Sequence, residues 1–120
     1  MLGEVHHIGY RVSDLEEAIN EYQRPFGSAV VNRRTLGDGT PIAFITMGSI
    51  QLELMQNTTE PGQHLDHVAY IVDDLDAELA ALKSKGAEFM AQEPVVSSAG
   101  ARFMFINMLG SRIQIYRPAQ

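Results

Sequence analysis

Four side chains in this 120-residue chain carry atoms suited to a divalent ion: the imidazoles of His7 and His67, the carboxylate of Glu53 and the amide oxygen of Gln114. Two neutral imidazoles, a carboxylate and an amide oxygen match a first-row metal and leave coordination positions open for water or substrate. Spacing is what singles them out. Val5-His6-His7-Ile8-Gly9-Tyr10-Arg11-Val12-Ser13-Asp14-Leu15 reads against Leu65-Asp66-His67-Val68-Ala69-Tyr70-Ile71-Val72-Asp73-Asp74-Leu75 at an offset of sixty residues. That alignment sets His7 on His67, Tyr10 on Tyr70 and Asp14-Leu15 on Asp74-Leu75. Leu52-Glu53-Leu54 matches Ile113-Gln114-Ile115 at an offset of sixty-one. A duplicated half-domain explains both matches.

The elements that must position these residues follow the same order in each half. A strand is expected near 5–12, ending at Ser13, which stands at capping-box spacing from Glu16. A helix to Arg24 follows, with Leu15, Ala18, Ile19 and Tyr22 on one face and Pro25 and Gly27 ending it. Strands are expected near 28–36, 41–47 and 49–56, punctuated by Gly37-Asp38-Gly39 and Gly48. The second half predicts a strand at 65–72, an N-cap at Asp73 and a helix to Lys85 with Leu75, Leu79 and Leu82 inward. Gly86 ends that helix, and strands at 87–96, 101–107 and 111–117 complete the half. The reading is an α+β single domain over 1–120, with repeat halves 1–57 and 64–120 and a linker at 58–63. Two tandem βαβββ modules would form an eight-stranded cup.

Strand side chains alternate between faces. Ile8, Tyr10 and Val12 share a face with His6, whereas His7, Gly9 and Arg11 take the other. Leu52 and Leu54 oppose Gln51, Glu53 and Met55; Val68, Tyr70 and Val72 oppose His67, Ala69 and Ile71; Ile113 and Ile115 oppose Arg112, Gln114 and Tyr116. Polar residues opposite an apolar sheet face are ordinarily just solvated. Here ligand-type residues recur at matched positions of a repeat, which favours the metal reading. His6 is assigned to the core face and His64 to a loop. Met47, Met55, Met90, Met104 and Met108 are expected to fill core or pocket walls.

Composition removes several classes. There is no cysteine, so disulfides, thiolate ligands and a cysteine nucleophile are excluded. The formal net charge is −6 and Arg33-Arg34 is the one basic doublet, so nucleic-acid binding is not expected. No apolar run approaches the ~20 residues of a membrane span, so no membrane partner is expected. Strand-like patterning from the first residues predicts no signal peptide, and a cytoplasmic location is the expectation. No glycine-rich nucleotide motif is present.

The segments His7–Leu15, with Tyr22 and Phe26-Gly27 behind them, and His67–Leu75 resemble the two opening motifs of the vicinal-oxygen-chelate superfamily. The resemblance covers nearly the whole chain. It implies the glyoxalase-like fold, one divalent ion (Ni, Co, Zn, Mn or Fe) on His7, Glu53, His67 and Gln114, a small-molecule substrate and a homodimer. The local wording is nearest to methylmalonyl-CoA epimerase and glyoxalase I, the lactoylglutathione lyase. It therefore implies an isomerase, epimerase or lyase that moves a proton next to a carbonyl through a chelated enediolate, with Glu53 as base. Those families commonly carry Glu where Gln114 stands, so carboxylate and amide have exchanged halves. Arg33, Arg34 and Arg112 are candidates for an anionic part of the substrate.

Two other readings exist within the superfamily. An extradiol-type dioxygenase holds ferrous iron with two histidines and a carboxylate, which His7, His67 and Glu53 supply. However, the resemblance sets its carboxylate at Gln114 and asks for a further histidine after His67, and there is none. A non-catalytic, bleomycin-type binding protein needs an aromatic-lined groove, and this chain has no tryptophan.

Overall fold

The repeat in the sequence is a repeat in secondary structure. The computed structural model describes all 120 residues. The first half is β1 (Val5–Val12), α1 (Leu15–Phe26), β2 (Val30–Thr35), β3 (Pro41–Met47) and β4 (Ile50–Gln56). The second is β5 (Gln63–Ile71), α2 (Leu75–Ser84), β6 (Val95–Val96), β7 (Arg102–Met108) and β8 (Ser111–Arg117). The strands form one eight-stranded sheet in the order β2-β3-β4-β1-β5-β8-β7-β6. Within each half the first strand pairs parallel with the last, β1 with β4 and β5 with β8. Every other pairing within a half is antiparallel. A helix spans each parallel connection, as crossover geometry requires. No helix is long and apolar enough to cross a membrane.

The chain separates into two compact units, His7–Asp66 and Met1–His6 with His67–Gln120. In the first, Leu15 and Ile19 of α1 are buried against Val12, Ala43, Ile45, Leu52 and Leu54. Ala18 and Tyr22 flank that cluster, which is the helix face expected from the sequence. A second, smaller apolar cluster of Ile42, Phe44 and Met55 occupies the opposite pleat of the same strands. In the other unit, Leu75 and Leu79 of α2 pack with Val72, Met104, Ile106 and Ile115, and Leu82 lies beside them. Residues ahead of β1 run along β5 there: the Gly3 amide donates to the Ile71 carbonyl at 2.8 Å, and the Ile71 amide to the Glu4 carbonyl at 2.8 Å.

Several local expectations move. Each helix is capped one residue later than the sequence suggests. Asp14, not Ser13, accepts from the Glu17 amide, and Asp74, not Asp73, accepts from the Ala77 amide. A carboxylate at the N-cap also meets the positive end of the helix dipole, which a serine hydroxyl does not. Helix α1 continues through Pro25 to Phe26 and stops at Gly27, whose φ of 64° lets its amide close on the Gln23 carbonyl. The strand expected at 87–96 is reduced to Val95–Val96 and a single bridge between Phe89 and Ile106. Pro94 interrupts it, because proline has no N–H for a ladder. His64 lies in β5 and not in a loop, with Nε2 3.1 Å from the Pro61 carbonyl oxygen. The methionines divide as core and pocket wall: Met55 and Met104 are buried, whereas Met90 and Met108 are exposed and line a cavity with Phe89 and Ile106.

Candidate functional site

The four candidate ligands fall at equivalent places in the two units. In the His7–Asp66 unit, β1 carries His7, buried to 3% exposure. Its ring meets Phe44 of β3 edge-on, centroids 5.5 Å apart. Its Nε2 lies 3.7 Å from Oε1 of Glu53 on β4. Glu53 stands in register between Gly9 and Phe44. The small neighbour on one side leaves the carboxylate room, and the Glu53 side chain is 12% exposed.

The second unit repeats the arrangement. His67 of β5 is equally buried, and its ring meets Phe105 of β7 edge-on at 5.4 Å. Gln114 of β8 stands in register between Ala69 and Phe105. It is 5% exposed, and its Oε1 is buried with no hydrogen-bond partner. A buried amide oxygen without a donor costs roughly 1–3 kcal/mol, so natural structures seldom keep one without use. A metal ion would satisfy it, and an amide oxygen is a donor that such an ion accepts alongside imidazole and carboxylate. By donor chemistry the residues fit a divalent ion.

Phe44 and Phe105 were not singled out by the sequence reading, although the signal was there. They are related by the same offset of sixty-one that relates Glu53 to Gln114. Aromatic residues read as core fillers until the register shows them beside the polar positions.

The three arginines considered for an anion separate. Arg33 reaches the side of β2 that faces α1, where its Nη1 and Nη2 donate to Glu16 at 2.6 and 3.0 Å. That hydrogen bond holds the Glu16 carboxyl below its ordinary range and raises Arg33. Arg34 lies on the other side of β2, its guanidinium 5.4 Å from the centroid of Phe44. Arg112 stacks over Phe105 at 3.8 Å. His6 stacks on the ring of Tyr116 at 4.6 Å, and burial lowers its pKa.

Comparison with known proteins agrees with this architecture. The chain is 28% identical over 120 aligned positions to the ethylmalonyl-CoA/methylmalonyl-CoA epimerase of Cereibacter sphaeroides, covering 89% of this chain and 90% of that one. The crystal structure of methylmalonyl-CoA epimerase from Mycobacterium tuberculosis superposes with a TM-score of 0.83 at 26% identity, covering 97% of this chain and 88% of that one. A Streptomyces coelicolor methylmalonyl-CoA epimerase variant, solved with 2-nitronate-propionyl-CoA, shares the fold at a TM-score of 0.85 and 23% identity over 100% of both chains. Residues 4–105 match the Glyoxalase/Bleomycin resistance protein/Dioxygenase superfamily, and the chain belongs to that superfamily.

Proposed function

We propose that the protein is an epimerase-like enzyme that moves a proton at the carbon next to a thioester or ketone carbonyl of a small substrate, with a divalent ion held by His7, Glu53, His67 and Gln114. His7, Glu53 and His67 are a donor group of the composition that holds a metal ion. The observation that carries the reading is the buried Gln114 oxygen without a donor, at the repeat position of Glu53. The relatives named above are epimerases of CoA thioesters, which supports a substrate of that class.

When bound, the ion supplies Lewis-acid stabilisation of negative charge growing on the substrate oxygens. The chain's own residues do the rest. Glu53 is the base: its carboxylate, a ligand only until substrate binds while Gln114 stays as the neutral one, takes the α-proton as the C–H bond breaks, and the bonding pair passes into the adjacent carbonyl. Return of that proton by Glu53 to the neighbouring carbon isomerises the substrate; inversion at the same carbon takes its proton from a water or second acid on the opposite face, while Glu53 keeps the abstracted one. The side-chain exposure of Glu53 is 12%, so few waters compete for the proton. Phe44 and Phe105 shield the imidazoles of His7 and His67 from one side.

The test is a panel of acyl-CoA thioesters and 2-oxo compounds in deuterated water, with protein loaded in turn with nickel, cobalt, zinc, manganese or ferrous iron. Wild type is expected to incorporate deuterium at the α-carbon of at least one member. Glu53→Gln is expected to abolish incorporation while still binding metal. Full exchange by Glu53→Gln would remove Glu53 as the base. Oxygen uptake with a catechol on the ferrous protein would replace this reading with a dioxygenase.

A further inference from the structure

The face of β1–β4 that carries His7 and Glu53 also carries two arginines whose Nε–H groups have no acceptor. Arg34 of β2, Ile42 of β3, Met55 of β4 and Arg11 of β1 stand in one ladder row. Strand spacing sets the two arginine Cα atoms about 14 Å apart across the row. That separation lets two long side chains reach inward over Ile42 and Met55 from opposite sides. Both of those floor residues are buried, at 1% and 5% exposure. The Nε of Arg11 and the Nε of Arg34 are each buried with no hydrogen-bond partner.

Other arginines of this acidic chain have carboxylates: Arg24 has Glu21, Arg33 has Glu16 and Arg102 has Asp76. Desolvating a guanidinium N–H with nothing to accept it is unfavourable. Two such groups in one row, on the functional face, imply an acceptor that comes from outside the chain. The repeat makes the placement specific, since Ile71 stands sixty residues on from Arg11 and carries no charge.

We propose that Arg11 and Arg34 form a two-guanidinium receptor for a carboxylate of the substrate. The chemistry of the anion follows from position. Met55 is two residues from Glu53 on the same strand face, about 7 Å along the strand. An anion held over Met55 therefore lies within a few bonds of the carbon that Glu53 addresses. A carboxylate on or near the reacting carbon fits that distance, and the phosphates of a nucleotide carrier do not. A planar guanidinium fork also matches a carboxylate well. This assignment rests on the proton-transfer reading for the position of the reacting carbon, but its test does not depend on turnover.

The experiment is equilibrium binding of methylmalonyl-CoA and propionyl-CoA, which differ by the one carboxylate, in buffer containing EDTA. Wild type is expected to prefer methylmalonyl-CoA by on the order of tenfold or more, as charged hydrogen bonds are worth. Arg11→Gln and Arg34→Gln are each expected to reduce that preference, and the double variant to remove it, with propionyl-CoA affinity unchanged. Arg24→Gln serves as the surface control. In the wild-type protein the arginine Nε–H resonances of Arg11 and Arg34 should shift with methylmalonyl-CoA and stay in place with propionyl-CoA, a readout that needs no variant to fold. Equal weakening of both ligands by the variants would assign the arginines to the carrier phosphates and overturn the proposal. So would a wild type that binds both alike, or binds neither. Deuterium exchange reports separately on Glu53, so either claim can fail alone.

Discussion

At Gln114 the proposed ligand role and stability pull in opposite directions. Its amide oxygen is buried without a donor, whereas an apolar group of similar size would leave nothing unsatisfied. Gln114→Leu is therefore expected to hold or raise the unfolding free energy of the metal-free protein, by up to about 1–3 kcal/mol if the full penalty is relieved. The same substitution should weaken metal binding, measured by calorimetric titration. A large loss of metal-free stability would mean that the amide has a structural partner and is no ligand. His7→Ala and His67→Ala should weaken metal binding beyond the roughly 10–100-fold typical of a supporting residue.

The elements carry their own predictions. The turn between β7 and β8 is Leu109-Gly110, with φ of 53° and 88°. Leucine in the left-handed region costs about 1–2 kcal/mol, whereas asparagine adopts it readily. Two-residue hairpins of this hand favour Asn-Gly. The Leu109 side chain is fully exposed and gives nothing back. Leu109→Asn should raise stability by about 1 kcal/mol in denaturant unfolding, and no gain would mean the turn is relaxed in another form.

The β2–β3 turn, which sets Arg34 against Ile42, depends on charge. Asp38 accepts from the Thr40 amide at 3.0 Å, and that backbone hydrogen bond holds its carboxyl below the ordinary value of 3.8. The folded-state pKa is the depressed one. Its contribution is thus present above the unfolded value and lost as pH falls through the folded value. Asp38→Ala should lower the thermal midpoint at pH 7, and the difference from wild type should shrink as pH drops below about 3.8. A difference that persists unchanged in strong acid would place the effect in turn geometry and not in the charge.

For the molecule as a whole, ligand and fold are linked. An ion that binds only the folded chain stabilises it by about 2.7 kcal/mol at a hundred times its dissociation constant. Thermal midpoints should rise with metal concentration accordingly, and His7→Ala should flatten that rise. A Leu54→Ala substitution offers the contrast. Leu54 is fully buried beneath α1, and its truncation should cost about 2–5 kcal/mol with or without metal. Additivity of the two effects, read in a double variant, would keep the core and the metal as independent contributions.

Much of this was legible in the chain itself. The internal repeat announced two equivalent modules, and matched polar positions on alternating strands singled out His7, Glu53, His67 and Gln114 as candidates before any coordinates. Hydrophobic periodicity identified the inner faces of both helices, because burial of an apolar stripe is a local pattern with a fixed period. Boundaries were less legible. Which of two adjacent residues caps a helix depends on backbone angles at that residue, and Ser13-Asp14 and Asp73-Asp74 offer near-equal choices. The weak strand at 87–96 read as regular because composition does not say where Pro94 removes a ladder bond. Cross-strand register was beyond the sequence altogether. Only the tertiary structure sets Phe44 and Phe105 beside the acceptor positions, commits Arg33 to Glu16, and lines Arg11 up with Arg34. Those relations join residues far apart in sequence, and a one-residue slip in strand pairing would have turned each side chain to the opposite face.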